Sequence, residues 1–274
     1  MDLLGVVLAG GISKRFNGFK LAYKLRGKPL LAHVADELST VASDVVIVAS
    51  PQTRRLVEGL AGYRVVTDSQ SLGCGGPLRG LATASMIADT ILYAPGDAAW
   101  IRGETMARLA RIGSGVTTPI WGDGFLPMLF GYAEDLKPFI DACMLKGWSG
   151  RPSDAYRLAE DLRLVGVSLL TGDPREFSTL NRVDQLEAPP TPLPGKGEIR
   201  VPQRASHLYK SVLYSLANGD YISAYLGLIE EASIYGSLGV EHIVRHIAED
   251  LCRVQGYILV YTVPGGCQRH RRLF

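Results

Sequence analysis

Residues Leu4-Gly5-Val6-Val7-Leu8 run without a break into Ala9-Gly10-Gly11-Ile12-Ser13-Lys14-Arg15-Phe16, and Lys20 follows five positions after Arg15. The apolar, valine-rich start predicts a strand buried on both faces, as in a parallel sheet. Glycines at its end let backbone N–H groups approach a ligand closely, and amides exposed in a tight turn form a nest for an anion. Arg15 and Lys20 add positive charge. The stretch contains neither G-x-x-x-x-G-K-[ST] nor G-x-G-x-x-G, so it is not one of the two commonest phosphate loops. Read alone, it describes equally well a glycine turn followed by two solvated cations.

Working outward, further β-branched runs occur at Val45 to Ala49, Tyr63 to Thr67 and Thr90 to Ala94. Segments of helical period lie between and after them, at Leu30 to Val41, Thr53 to Leu60, Pro77 to Ala88 and Glu104 to Ile112. This alternation predicts a Rossmann-like α/β fold, a mostly parallel sheet flanked by helices, with ligands at the carboxyl ends of the strands. Gly115 to Ile120, the Gly122-Asp123-Gly124 turn and Met128 to Tyr132 read as a hairpin or a pair of strands beside that sheet. A helix over Glu134 to Lys146, a polar stretch over Ser153 to Glu160 and a strand over Leu164 to Leu169 follow.

Five prolines and two glycines then crowd residues 188–202, the composition of a stiff, extended linker. The expected organisation is therefore a sheet domain over 1–187, a linker over 188–204 and a small, mainly helical unit over 205–274. Its helices are Ala205 to Ala217, Tyr221 to Ile234 and Val240 to Val254, and the final apolar run, Tyr257 to Val263, reads as a strand. A lid over a second substrate, a homodimer contact and a partner-binding surface are all open as roles for this unit.

The 274 residues carry a formal net charge of +2, which excludes a generally basic nucleic-acid or membrane-surface binder and leaves any basic site local. No apolar run reaches the roughly 18 to 20 residues of a membrane helix. Cys74, Cys143, Cys252 and Cys267 are scattered, with no C-x-x-C pair, so neither a zinc module nor a disulfide framework is expected and a reducing cytoplasm is the simplest home. His242 and His246 share one face of a predicted helix. Without H-E-x-x-H or a third ligand they read as a solvated or interface face. Trp100, Trp121 and Trp148 are explained by packing near the mouth of the sheet.

Leu8-Ala9-Gly10-Gly11-x-Ser13-x-Arg15-Phe16, then Lys20 and Gly27-Lys28-Pro29-Leu30, resemble the L-A-G-G-x-S-x-R-[MF] … K … G-K-P-L signature of nucleotidyltransferases, above all the molybdenum-cofactor guanylyltransferase-like (MobA-like) NTP transferases. Three later patches fall in the family's order. Gly76-Pro77-Leu78-Arg79-Gly80 is similar to the G-P-L-x-G loop whose backbone helps hold the base. Asp97, after the strand Ile91 to Ala94, matches the metal-binding aspartate. Asn181, in Asn181-Arg182-Val183-Asp184, is similar to a second metal ligand of sugar-nucleotide members, although it could equally cap a helix. Ser50 and Asp68 stand where the guanylyltransferase branch has an Asn and an acidic residue near ribose and base. The chain departs from the pattern at Asn17, Phe19, Gly96 and Ala99, which replace Gly, an acidic residue, Cys and Pro.

The resemblance covers residues 4–187 in patches and implies the nucleotide-diphospho-sugar transferase type of fold. It also implies transfer of NMP from an NTP, with GTP favoured, to the phosphate of molybdopterin, with release of pyrophosphate. Leu8, Ala9, Gly10, Gly11, Ser13, Arg15 and Lys20 would hold the phosphates, with Ser50, Asp68, Gly76, Pro77, Leu78 and Gly80 around the nucleoside. Arg15, Lys20 and Asp97 would carry catalysis, and Asp97 with Asn181 would hold Mg²⁺. The same reaction on a sugar phosphate, a cobinamide phosphate or a phospholactate is an alternative, and so is a nucleotide-binding regulatory protein without turnover. No nucleic acid or membrane partner is implied.

Overall fold

The computed structural model describes residues 2–11, 19–145, 150–180 and 197–262. Its strands are β1 (Leu4–Leu8), a two-residue ribbon of β2 (Lys24–Leu25) and β3 (Lys28–Pro29), β4 (Asp44–Ala49), β5 (Arg64–Thr67), β6 (Ile91–Pro95), β7 (Val116–Ile120), β8 (Gly131–Ala133), β9 (Leu162–Gly166) and β10 (Glu198–Val201). The helices are α1 (Leu30–Ser39), α2 (Arg54–Val57), α3 (Gly76–Ala84), α4 (Gly103–Ile112), α5 (Lys137–Met144), α6 (Pro152–Leu158), α7 (Val167–Leu170), α8 (Gln203–Ala217), α9 (Tyr221–Ser237) and α10 (Glu241–Thr262). Among the described residues eight strands form one sheet in the order β10-β9-β7-β8-β6-β1-β4-β5. All neighbours pair in parallel except β8, which runs against β6 and β7, and β10, which runs against β9.

Side chains alternate across a strand, so each central strand feeds two cores. Leu4, Val6, Val46, Val48, Ile91 and Tyr93 pack on one face with α3, α5 and α6. Val7, Val45, Ile47, Ala49, Leu92 and Ala94 pack on the other with α1 and α4. This double burial is why β1, β4 and β6 read as unbroken apolar runs. The crossover from β1 goes to β4 on one side, whereas the chain leaving β5 returns to β6 on the other. The crevice between the ends of β1 and β6 is therefore a topological switch point, the place where open α/β sheets bind ligands.

Five expectations are corrected. Residues 198–201, inside the proline-rich stretch, form edge strand β10 in register with β9, because alternating Ile199 and Val201 have an unpaired strand to join; residues 188–196 lie outside the described residues. The expected hairpin is instead built into the sheet, with β8 between β6 and β7. Tyr257 to Thr262 continue α10 rather than forming a strand, and Tyr257 stacks on Tyr221 of α9 with ring centroids 5.1 Å apart. Cys74 and Cys143, 69 positions apart, are joined by a disulfide because α5 packs against α3. The polar stretch from Ser153 is likewise a helix, α6, and it is buried. No described helix is long and apolar enough to cross a membrane.

The burial of α6 follows from the helices that cover it. Tyr209, Val212, Leu228, Tyr235, Ile243 and Ile247 of α8, α9 and α10 belong to the same hydrophobic cluster as one face of the sheet. At its centre Arg157, fully buried, donates from Nε and Nη2 to the two carboxylate oxygens of Glu231 at 2.8 and 2.6 Å, and from Nη1 to Asp250 at 2.6 Å. Its guanidinium lies 3.6 Å from the centre of the Tyr209 ring. Arg151 donates to Asp250 at 2.7 Å, and the Tyr209 hydroxyl donates to Asp154 at 3.2 Å. Removing one member of a buried ion pair is far costlier than replacing both. Arg157→Met is therefore expected to lower stability by ~3–5 kcal/mol, read as a fall in the urea midpoint. The double variant Arg157→Met/Glu231→Met, which leaves Asp250 with Arg151, is expected to recover most of that loss.

Candidate active site

The carboxyl end of β1 sets the geometry. Leu8 lies in register with Val48 on one side and Pro95 on the other, and two bonds extend the ladder past it: Ala9 N–H to the Val48 carbonyl at 2.8 Å and Gly96 N–H to the Leu8 carbonyl at 2.9 Å. Thr53 fastens the loop after β4 to the same point, its hydroxyl donating to the Ala9 carbonyl at 2.9 Å. Three strand ends are thus held together before any side chain of the site is placed.

A cavity of about 530 Å³ opens there. Of the residues picked from sequence, Leu8, Ala9, Gly10, Gly11, Lys20, Ser50, Asp68, Gly76, Pro77, Gly80 and Asp97 line it. Leu78 does not; it is fully buried in the core beneath the loop. Ser13, Arg15 and Asn181 lie outside the described residues, as does Asn17. The cavity is also lined by Gln52, Arg79 and Leu129, to which no role had been assigned. Arg79 stands at the variable position of the glycine-proline-leucine stretch, and its Nε donates to the Cys74 carbonyl at 2.7 Å. Gln52 follows Ser50 in the loop after β4, whereas nothing in the sequence near Leu129 marks it.

Two glycines let the walls close in. Gly76, the first residue of α3, has φ +58°, which favours glycine, and Pro77 follows in the first helical turn. A Cβ on Gly80 would lie 3.0 Å from the Leu8 side chain and 3.6 Å from an Asp68 carboxylate oxygen. The α3 start, with its free amides and positive dipole end, therefore stands at the cavity rim.

Lys20 and Asp97 form an ion pair on the cavity wall, each side chain 13% exposed. A turn of 3-10 helix, Lys20–Ala22, carries the lysine, and Leu21 and Phe19 anchor it in the core under β1. Phe19, which replaces an acidic residue of the family pattern, thus holds the lysine by packing instead of charge. Gly96, before Asp97, is similarly tight, since a Cβ would lie 3.0 Å from Leu31 and 3.2 Å from Leu21. Leu180 N–H donates to the Asp97 carbonyl at 3.0 Å; Asn181, the next residue in sequence, is outside the described residues. Among the described residues no three potential ligands cluster as a ready metal cage.

Solved structures share this layout. Molybdopterin-guanine dinucleotide biosynthesis protein A from Archaeoglobus fulgidus matches 67% of this chain and 95% of its own, with a TM-score of 0.56 at 18% identity. A nucleotidyl transferase from Methanothermobacter matches 68% and 94%, with a TM-score of 0.52 at 21% identity. The fold is that of the nucleotidyltransferases. The sequence narrows the class, because the MobA-like NTP transferase domain matches residues 5–157, and the chain belongs to that family. Among its relatives, a protein named "Probable molybdenum cofactor guanylyltransferase" from Thermococcus gammatolerans is 32% identical over 51% of this chain and 74% of its own. One of the same name from Pyrococcus horikoshii is 29% identical over 68% and 98%.

Asp68 offers a test of the site's electrostatics. Burial pushes its carboxyl above the usual range, and Arg79 only partly opposes this. Stability from such a group is fully present below the unfolded value near 3.8 and is lost as pH rises through the higher folded value. At pH 7 the native state therefore carries a penalty that Asp68→Asn removes. The variant is expected to melt about 2 °C above wild type at pH 7, with the gap closing towards pH 4, as measured by thermal unfolding at both pH values.

Proposed function

We propose that this chain transfers GMP from GTP to the phosphate of molybdopterin and releases pyrophosphate, using a divalent cation such as Mg²⁺. The observation that carries this reading is the convergence, in one cavity at the switch point, of the Gly10-Gly11 loop, the Lys20–Asp97 pair and the Gly76–Gly80 helix start. The names of the relatives supply the base and the acceptor.

The acceptor phosphate already carries the nucleophilic oxygen, and pyrophosphate is the leaving group, so the protein has to position reactants and balance charge. Amides of the Gly10-Gly11 loop, with Arg15 and Ser13 beyond them in sequence, would hold the β- and γ-phosphates. Lys20 would neutralise charge growing at the α-phosphate. Ser50, Asp68, Gly76, Pro77 and Gly80 would surround the nucleoside, and the Asp68 carboxylate can accept from guanine N–H groups or ribose hydroxyls. A hard carboxylate beside the Lys20 end of the cavity suits Mg²⁺, which takes one or two carboxylates with substrate oxygens and water. Asp97, with Asn181, would hold the ion. When bound, it would polarise phosphate oxygens as a Lewis acid. A cytoplasmic location, where GTP is supplied, belongs to the same reading.

Pyrophosphate release with Mg²⁺, GTP and molybdopterin, set against ATP, CTP and UTP, tests it. GTP is expected to be the best substrate and to give the largest thermal stabilisation. Asp97→Ala is expected to reduce turnover by on the order of 10³ while GTP binding without metal changes little. GTP binding with no pyrophosphate release in the presence of molybdopterin would overturn the proposal.

A further inference from the structure

Between β5 and α3 the chain reads Gly73-Cys74-Gly75-Gly76, so Cys74 supplies the one side chain in four consecutive residues. These residues lead straight into the rim of the candidate site, because Gly76, Pro77, Arg79 and Gly80 line its cavity. Beyond the adjoining residues, a Cβ on Gly75 or Gly76 would meet no atom within 4 Å. Packing therefore does little to hold the segment, and glycine backbones lose the most freedom on being fixed.

Two bonds made by Cys74 fix it instead. Its Sγ is joined to Cys143 of α5, with the Cα atoms 4.6 Å apart, and its carbonyl accepts from Arg79 Nε at 2.7 Å. Both cysteines are buried in the hydrophobic cluster shared by α3 and α5. The backbones approach closely: a Cβ on Gly73 would lie 3.0 Å from the Cys143 carbonyl oxygen, and one on Gly150 would lie 3.4 Å from the Cys74 Cβ. The other end of the loop is tied without sulfur, since Ser69 N–H donates to the Thr83 hydroxyl of α3 at 2.9 Å. Cys252, by contrast, is an exposed free thiol.

We propose that Cys74 and Cys143 are a site of reversible oxidation that sets the order of the cavity rim: the disulfide clamps residues 73–76 on α5, and reduction releases them. In the exchange, a thiolate of a dithiol reductant bonds to one sulfur of the pair, and the other sulfur leaves as a thiolate and takes a proton. The second thiol of the reductant then displaces the first, so two protein thiols form as the reductant becomes a disulfide. The flanking glycines let the segment swing outward and expose sulfurs that are otherwise shut off from solvent. In the cytoplasm proposed above, a disulfide is a transient, redox-sensing bond rather than a permanent staple. A nucleotide entering the cavity would meet a fixed rim in the oxidised chain and a loose one in the reduced chain.

Hydrogen–deuterium exchange of the full chain, oxidised and then reduced with dithiothreitol, tests the proposal, with iodoacetamide labelling and peptide mapping to score each cysteine. Cys252 is expected to label in both states, and Cys74 and Cys143 only after reduction. Exchange over residues 70–80 is expected to quicken at least about tenfold on reduction, with β1, β4 and β6 unchanged, and oxidised glutathione is expected to restore protection. Cys143→Ala keeps Cys74 but removes the bond, and is expected to exchange like the reduced chain under both conditions. In calorimetric titration GTP is expected to bind the oxidised chain about fivefold more tightly than the reduced one. Equal exchange over residues 70–80 in the two states, or labelling of Cys74 and Cys143 without reductant, overturns the proposal. Faster exchange throughout the sheet would mark a structural bond and overturns it equally. If GTP binds neither form, the transfer reaction falls, and the exchange result still decides the clamp.

Discussion

Arg157 is enclosed by Glu231, Asp250 and the face of Tyr209, contributed by three different helices, and it sits on a fourth. A guanidinium removed from water demands partners on its donors, and these three residues meet that demand only if α8, α9 and α10 approach α6 in one arrangement. Burial raises the Glu231 carboxyl, with Arg157 opposing the shift, so the acid depends on the guanidinium as much as the reverse. Asp250, shared with Arg151, ties α10 in particular to the start of α6. Apolar packing alone would tolerate a sliding of these helices. The charged cluster supplies the register.

That register has a functional consequence one turn and more away. Asp250 lies two turns along α10 from His242, so the ion pairs that fix the former also fix where the latter meets the connection between β7 and β8. The same connection carries Leu129 into the cavity wall. The C-terminal helices therefore help to shape the sheet end where the chemistry is expected, while the groups assigned to the nucleotide lie at the ends of β1, β4, β5 and β6, on the 3-10 turn Lys20–Ala22 and at the start of α3.

Much of the candidate site was legible because its residues sit close together along the chain or directly after strand ends. Gly10, Gly11, Ser50, Asp68 and Asp97 each follow an apolar run that parallel pairing brings into line, so reading the runs as strands was enough to gather them. Leu78 is buried in the core instead, since a motif names a stretch without saying which of its side chains points inward. Arg79, one position further on the same helix, reaches the cavity instead. Phe19 looked like a loss of charge, and only its packing under β1 shows that it anchors the turn bearing Lys20.

The sequence by itself determined the parallel sheet, the glycine turn after β1 and the order in which the parts of the candidate site appear, because these depend on local periodicity and on glycines at strand ends. Only the tertiary structure decided the rest. Residues 198–201 join the sheet because β9 had an open edge. Cys74 meets Cys143 because α5 packs on α3. His242 meets the connection between β7 and β8 because Gly124 lacks a side chain and Arg157 holds α10 in place. Each is a contact between segments far apart along the chain, and neither spacing nor composition encodes which distant surfaces will exclude water together.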